Sequence, residues 1–287
     1  MWNPFNRNTI SNSSASKRSL QLITQKGMPF AYVEAYKALR TNLNFLSDSG
    51  DVHAFVVTST VPEEAKSNVS VNLALALTES GKKVVLVDCD LRKPVLHRYL
   101  KAGHNLKGVS NVLSRQVALS DALVELKGIP NLTFLPAGTT PPNPSELLSQ
   151  PQMQEMVDTL RGSYDFVILD APPISMVTDA AVIGRIVDGA LFVVRSKYAS
   201  TDAVKTALEK LQDAGVKVLG AVLTRYDAKK SLKRSDYGYG YYYYNSNYSY
   251  GTPPDGISES AAKKSGLTSK KQHNGKEKHS VHTEDEA

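Results

Sequence analysis

A chain of 287 residues with 41% hydrophobic and 22% charged side chains has the composition of a soluble globular protein, with room for one large α/β domain plus tails or for two small domains. No apolar run approaches the ~20 residues of a membrane span, and the single cysteine, Cys89, excludes an internal disulfide and fits a reducing, cytoplasmic compartment. The excess of 34 basic over 28 acidic side chains is modest and not gathered into one long stripe, so no nucleic-acid partner is expected.

Residues 1–28 are polar and aperiodic, carry no leader pattern, and read as a disordered segment. A helix follows in "AYVEAYKALRTNLNFL", where Tyr32, Tyr36, Leu39 and Leu43 recur at three and four residues. On it Glu34, Lys37 and Arg40, three apart, form a slanting charged stripe, which by itself is usually a solvated face. Six apolar runs then read as strands: "AFVVTS", "KVVLVD", "LTFLPA", "DFVILD", "ALFVVR" and "VLGAVL". Between them, helix patterns lie at 67–79, 151–161 and 201–214, the last with Ser200 or Thr201 placed as an N-cap. Apolar strands alternating with helices predict a mostly parallel sheet covered on both faces, with the globular part, 29–227, ending near Asp227. Beyond it, 228–287 reads as a disordered tail. Eight of the fourteen tyrosines fall within 237–250: Tyr237, Tyr239, Tyr241, Tyr242, Tyr243, Tyr244, Tyr248 and Tyr250.

Three strand ends carry groups suited to a phosphate and a hard cation. After the first strand, "STVPEEAKSN" places Lys66 and Ser67 where a phosphate-binding loop has its lysine and its metal-binding hydroxyl, at the start of a helix whose positive end favours anions. The second strand ends in Asp88 and Asp90, two positions apart and therefore on one side of an extended chain. The third, "DFVILDAPP", delivers Asp170 to the same edge, where ligands of open parallel sheets bind. Each group alone has a bland reading as a strand end, cap or turn. Their succession in three consecutive motifs points to Mg-nucleotide chemistry. Cys89, flanked by Asp88 and Asp90, is not expected to be a nucleophile.

"SNVSVNLALAL", "GKKVVLVDCDLRKP", "LPAGTTPPNPSELL" and "YDFVILDAPPISMVTDAAV", in this order, resemble the bacterial tyrosine kinases of the capsule and exopolysaccharide family, in their cytoplasmic stand-alone form. The resemblance implies a P-loop NTPase-like kinase that uses ATP and Mg2+ and modifies its own tyrosine cluster in trans. It implies that Glu63, Glu64, Ala65, Lys66, Ser67 and Asn68 surround the nucleotide, that Ser67, Asp88 and Asp170 serve the metal, and that Lys66, Asp88 and Asp90 are catalytic, with Asp88 taking the tyrosine proton. Glu34, Lys37 and Arg40 match a motif that contacts the next subunit of a ring, with Lys37 in place of an arginine. A membrane-spanning activator of the polysaccharide co-polymerase type, recruitment to the inner face of the membrane and a phosphotyrosine phosphatase are further implied. The chain departs from the family at Glu63 and Ala65, where the loop has glycines. Alanine fits if its φ is negative, and Glu63 fits if its carboxylate points to solvent. Thr224 stands where the family has an asparagine on the adenine. The alternatives are a ring-forming regulator without catalysis and a partitioning ATPase of the ParA or MinD type. The second normally has a further lysine early in the loop, absent here.

Overall fold

The protein is described as a computed structural model covering residues 21–48 and 52–226. In chain order the elements are α1 (Phe30–Asp48), β1 (Ala54–Ser59), α2 (Lys66–Glu79), β2 (Val84–Asp88), α3 (Leu96–Tyr99), α4 (Val109–Leu113), α5 (Leu119–Ala122), β3 (Val124–Glu125), β4 (Leu132–Leu135), α6 (Pro144–Leu148), α7 (Pro151–Arg161), β5 (Phe166–Asp170), α8 (Asp179–Gly184), β6 (Ala190–Arg195), α9 (Thr201–Asp213) and β7 (Val218–Thr224). The strands form one sheet in the order β3-β4-β2-β5-β1-β6-β7. All pairings are parallel except β3 with β4. The six apolar runs become β1, β2, β4, β5, β6 and β7, and the mostly parallel sheet is as expected.

Both faces of the sheet are covered, so the central strands read as continuous apolar runs rather than as alternations. Successive side chains still divide between the faces. Phe55, Val57, Leu86, Phe166 and Ile168 pack toward α2, while Val56, Val85, Val87, Val167 and Leu169 pack toward α7 and α8. Burying a phenylalanine such as Phe166 contributes about 2–3 kcal/mol. α2 is buried nearly all round, because the sheet covers one side and α1 lies over another. α1 docks through buried Tyr36 and Leu43. Its Arg40 donates from Nη1 to the Ala76 carbonyl (2.9 Å), capping an acceptor in the last turn of α2. Ser200 caps α9, its hydroxyl accepting from the Ala203 N–H at 3.2 Å.

The fold places β1, β5 and β2 side by side. Asp88 and Asp170 are direct partners in the β2–β5 register, and Val57 of β1 pairs with Asp170 from the other side. Three strand ends therefore meet at one edge.

Candidate functional site

The loop between β1 and α2 takes a glycine-type path without glycines. Glu63 has φ 70° and Ala65 φ 72°, both left-handed. The condition of a negative φ at Ala65 is thus not met: the backbone keeps the left-handed conformation with the methyl group in place. Such conformations persist where surrounding contacts over-determine them, and here those contacts come from the loop and two strand ends. The buried Glu64 carboxylate accepts from the Val61 N–H (2.9 Å) and, on its other oxygen, from the Arg195 N–H (3.2 Å) at the end of β6. Thr224, the last residue of β7, donates its hydroxyl to the Glu64 carbonyl at 2.9 Å. Arg195 reaches the Glu63 carbonyl (3.4 Å) and lies over the Tyr198 ring, 4.3 Å from its centre. The Glu63 side chain is exposed, its Oε2 3.5 Å from the Tyr198 hydroxyl, as expected of a carboxylate turned outward.

The loop delivers Lys66 to the first position of α2. The Val69 N–H to Ala65 carbonyl bond (3.0 Å) opens the helix ladder, so the N–H groups of Lys66, Ser67 and Asn68 precede it and face the strand ends. Lys66 Nζ lies 3.2 Å from Asp170 Oδ2 and 3.3 Å from Asp90 Oδ2. Ser67 donates to Asp170 Oδ2 at 2.6 Å, and Ser70, one turn later, donates to Asp170 Oδ1 at 2.9 Å. Asp88 accepts the N–H groups of Asp90 and Leu96, each at 3.2 Å. Asp90 lies beyond the end of β2. Its place is set by the loop, whose Lys93 N–H donates to Asp90 Oδ1 at 3.0 Å, rather than by strand alternation.

Three buried carboxylates share one ammonium group, and the electrostatics follow from that imbalance. Burial, then the neighbouring Asp170, push the Asp88 carboxyl up from 3.8 to about 8, although Lys66 and the Leu96 N–H pull the other way. Burial disfavours the Lys66 charge, yet Asp170, Asp90 and Asp88 together outweigh it and raise its pKa. Burial first, and then the same carboxylates, raise the Cys89 thiol well above its usual range, in keeping with an inert sulfur.

The donor set fits a hard divalent cation. It is all oxygen, from Ser67, Asp88, Asp90 and Asp170, and its excess negative charge is what a cation would neutralise. Among the described residues, no three His, Cys, Asp or Glu side chains form a ready-made metal cage. Mg2+ commonly binds through few protein ligands and completes its shell with phosphate and water. The free amides of α2 and Lys66 suit the phosphates.

Other expected site residues fall elsewhere. The Asn68 side chain turns from the strand ends to α1, accepting from Tyr32 (3.0 Å) and Tyr36 (3.2 Å). Lys37 pairs with Glu34 at 2.7 Å on the outer side of α1, whereas Arg40 is engaged inside the chain. Tyr237 to Tyr250 lie outside the described residues. Ser70 went unread, though its S-x-x-S spacing from Ser67 places both hydroxyls on one helix face. So did a network at the rim: Arg92 bonds the fully buried Asp179 (3.0 and 3.3 Å) and the Ser145 hydroxyl (2.7 Å), holding the loop that carries Asp90. Its members come from three distant segments, and no local pattern announces it. Among the described residues no helix is long and apolar enough to cross a membrane.

Comparison with known proteins agrees with this geometry. The model of the AAA domain family matches residues 64–218. The tyrosine-protein kinase YwqD of Bacillus subtilis is 37% identical over 205 residues, covering 71% of this chain and 84% of the relative. Among solved structures, the chimerical protein CapA2B2 aligns with a TM-score of 0.67 at 36% identity, covering 72% of this chain and 90% of the other. The kinase domain of the Escherichia coli tyrosine kinase ETK aligns at 0.64 and 34%, covering 68% and 77%. MinD from Pyrococcus horikoshii, complexed with Mg-ADP, shares the fold at 0.54 and 25%, covering 64% and 72%. The convergence of loop, lysine and carboxylates at one sheet edge, together with these likenesses, identifies the chain as a protein-tyrosine kinase belonging to the bacterial tyrosine-protein kinase family.

Proposed function

We propose that the chain transfers the terminal phosphoryl group of Mg-ATP to tyrosines of its own 237–250 cluster, in trans, within a ring of identical subunits, and so regulates polysaccharide synthesis and export. The observation that carries the reading is the meeting of Lys66, Ser67, Asp90 and Asp170 within 3.3 Å contacts at the carboxyl edge of the sheet. The α2 amides and Lys66 hold the outer phosphates. Ser67 and Asp170, with Asp88 beside them, hold Mg2+, which when bound neutralises charge developing on the transferred group. Asp88 accepts the tyrosine proton as the phenolic oxygen attacks phosphorus and ADP leaves. Burial and the neighbouring Asp170 make it more basic than an ordinary carboxylate, as a general base requires. Asp90, tied to the Lys93 N–H, keeps Lys66 aimed between the carboxylates.

The chain works at the inner face of the membrane, recruited by a membrane-spanning activator of the polysaccharide co-polymerase type, and a phosphotyrosine phosphatase resets the cluster. The outer face of α1, with Glu34 and Lys37, meets the next subunit. Incubation of the purified chain with Mg-ATP and the activator segment, followed by mapping of phosphotyrosine, tests the reading; label no greater than in a Lys66→Met chain would end it. A ring-forming regulator without catalysis is favoured by one observation, the left-handed side-chain-bearing residues Glu63 and Ala65. Calorimetry separates the two: micromolar Mg-ATP binding that disappears in Ser67→Ala retires the silent form.

A further inference from the structure

The loop that follows the site carries a charge pattern which the reaction does not use. Residues 91–120 contain eight basic side chains, counting His97 and His104, and no aspartate or glutamate. Lys93, Arg98, Lys101, His104 and Lys107 are exposed, and among the described residues none of them is paired with a carboxylate. Arg92, by contrast, is engaged with Asp179. The strip is anchored rather than loose. Leu96 and Leu100 are buried against α2, and Tyr99, Ala102 and Leu106 pack beside them. Left-handed turns at Lys101, Gly103 and Asn105 fold it back until the His97 and His104 rings lie 5.9 Å apart. Its near end is at the carboxylates, since the Leu96 N–H sits 3.2 Å from Asp88 Oδ2.

A compact, uncommitted cationic surface beside an acidic crevice sorts charged from uncharged segments. The crevice repels a tyrosine that already carries phosphate, at about −1.5 to −2 charges; the strip attracts it, through lysine and arginine donors suited to phosphate. Tyrosines two to four residues apart in an extended segment, such as Tyr244 and Tyr248, are separated by roughly 7–14 Å.

We propose that the 93–107 strip binds phosphotyrosines of the 237–250 segment of a second copy, holding modified residues while an unmodified tyrosine of the same segment enters the site beside Asp88. This rests on the kinase reading. It makes the strip a product-phosphate guide that favours several modifications per encounter.

The test needs no catalysis, so its failure is distinguishable from failure of the kinase reading. The nucleotide-free chain in EDTA is titrated with two synthetic 237–250 peptides, one unmodified and one carrying phosphotyrosine at 244 and 248. The phosphopeptide is expected to bind at least about tenfold more tightly, with affinity falling steeply as salt rises. Arg98→Glu with Lys101→Glu should bring it to the level of the unmodified peptide. Arg98→Gln with Lys101→Gln, which leaves less to perturb folding, should move it the same way, with melting temperature as the control. Equal affinity for the two peptides, or a phosphopeptide preference that survives both double substitutions, overturns the proposal. So does binding to phosphatidylserine vesicles that depends on Arg98 and Lys101 without any phosphopeptide preference, which would make the strip a membrane-facing surface.

Discussion

Ala65 holds a φ of 72° that costs a residue with a Cβ about 1–2 kcal/mol. The loop withstands this because Glu64, Arg195 and Thr224 hold it from three directions. Ala65→Gly should relieve the strain, and part of the gain is returned through the freer unfolded chain. A net stabilisation of about 0.5–1 kcal/mol is expected in chemical denaturation, with Mg-ATP affinity kept or improved. Thr224→Ala removes one hydrogen bond, worth about 1 kcal/mol. It should weaken affinity for a non-hydrolysable ATP analogue by roughly fivefold, and the added Ala65→Gly change should restore part of the loss. Asp88 gives a second, pH-dependent expectation. Its carboxyl titrates near 3.8 unfolded and about 8 folded, so it contributes stability fully below the first value. The contribution is lost as pH rises through the second. In metal-free buffer the melting temperature should fall from pH 5 to pH 9, and Asp88→Asn should flatten that fall.

At the level of elements, α1 shows what the sequence could and could not reveal. Its helical period was plain in Tyr32, Tyr36, Leu39 and Leu43, and the positions of Glu34 and Lys37 followed from it. The partner of Arg40 did not, because a backbone carbonyl 36 residues away leaves no mark in side-chain pattern. Nor did the outward row of Ala31, Ala35, Ala38 and Phe45, the last 69% exposed, since Phe45 looks like any core residue until the helix is docked. The short helices α3 to α6 and α8 went unread for another reason: four to six residues complete less than two turns, too few for a period to show. Of the site, Lys66, Ser67, Asp88 and Asp170 were legible because strand ends and a helix start carry local signals, whereas Asp90, expected from strand alternation, is placed by the loop after β2. The clamp by Thr224 and the Arg92–Asp179 pair join distant segments and were not legible. The docking of α1 bears directly on how assembly is tested. Arg40→Ala should lower stability by about 1 kcal/mol within a single subunit, which blurs any effect on self-association. Phe45→Glu should lower the mass seen in analytical ultracentrifugation and leave the melting temperature unchanged. A melting temperature that falls with the mass would place Phe45 in the fold rather than in the contact.

For the whole molecule, the proposed transfer between neighbours is the reading most exposed to test. A Lys66→Met chain that keeps its tyrosines is mixed with an active chain ending before Asp236. Phosphate on the inactive chain is expected, in proportion to the fraction of mixed assemblies. An inactive chain that stays unlabelled while full-length active protein labels itself would rule the transfer out. If the assembly rests on exposed ion pairs between subunits, each worth only ~0–1 kcal/mol, phosphates accumulating on the tail should suffice to loosen it. Sedimentation before and after incubation with Mg-ATP measures that change.

The hydroxyl of Thr224 ends β7 and holds the Glu64 carbonyl, and the polypeptide continues from there through Tyr226 toward the tyrosine cluster. The root of the tail and the phosphate loop are thereby one mechanical unit. In the proposed transfer between neighbours, a pull on the chain beyond Tyr226 would act on the end of β7, which the Thr224–Glu64 bond joins to the phosphate loop. Under that reading, capture of a tail by one subunit would bear on the nucleotide loop of the subunit that owns the tail.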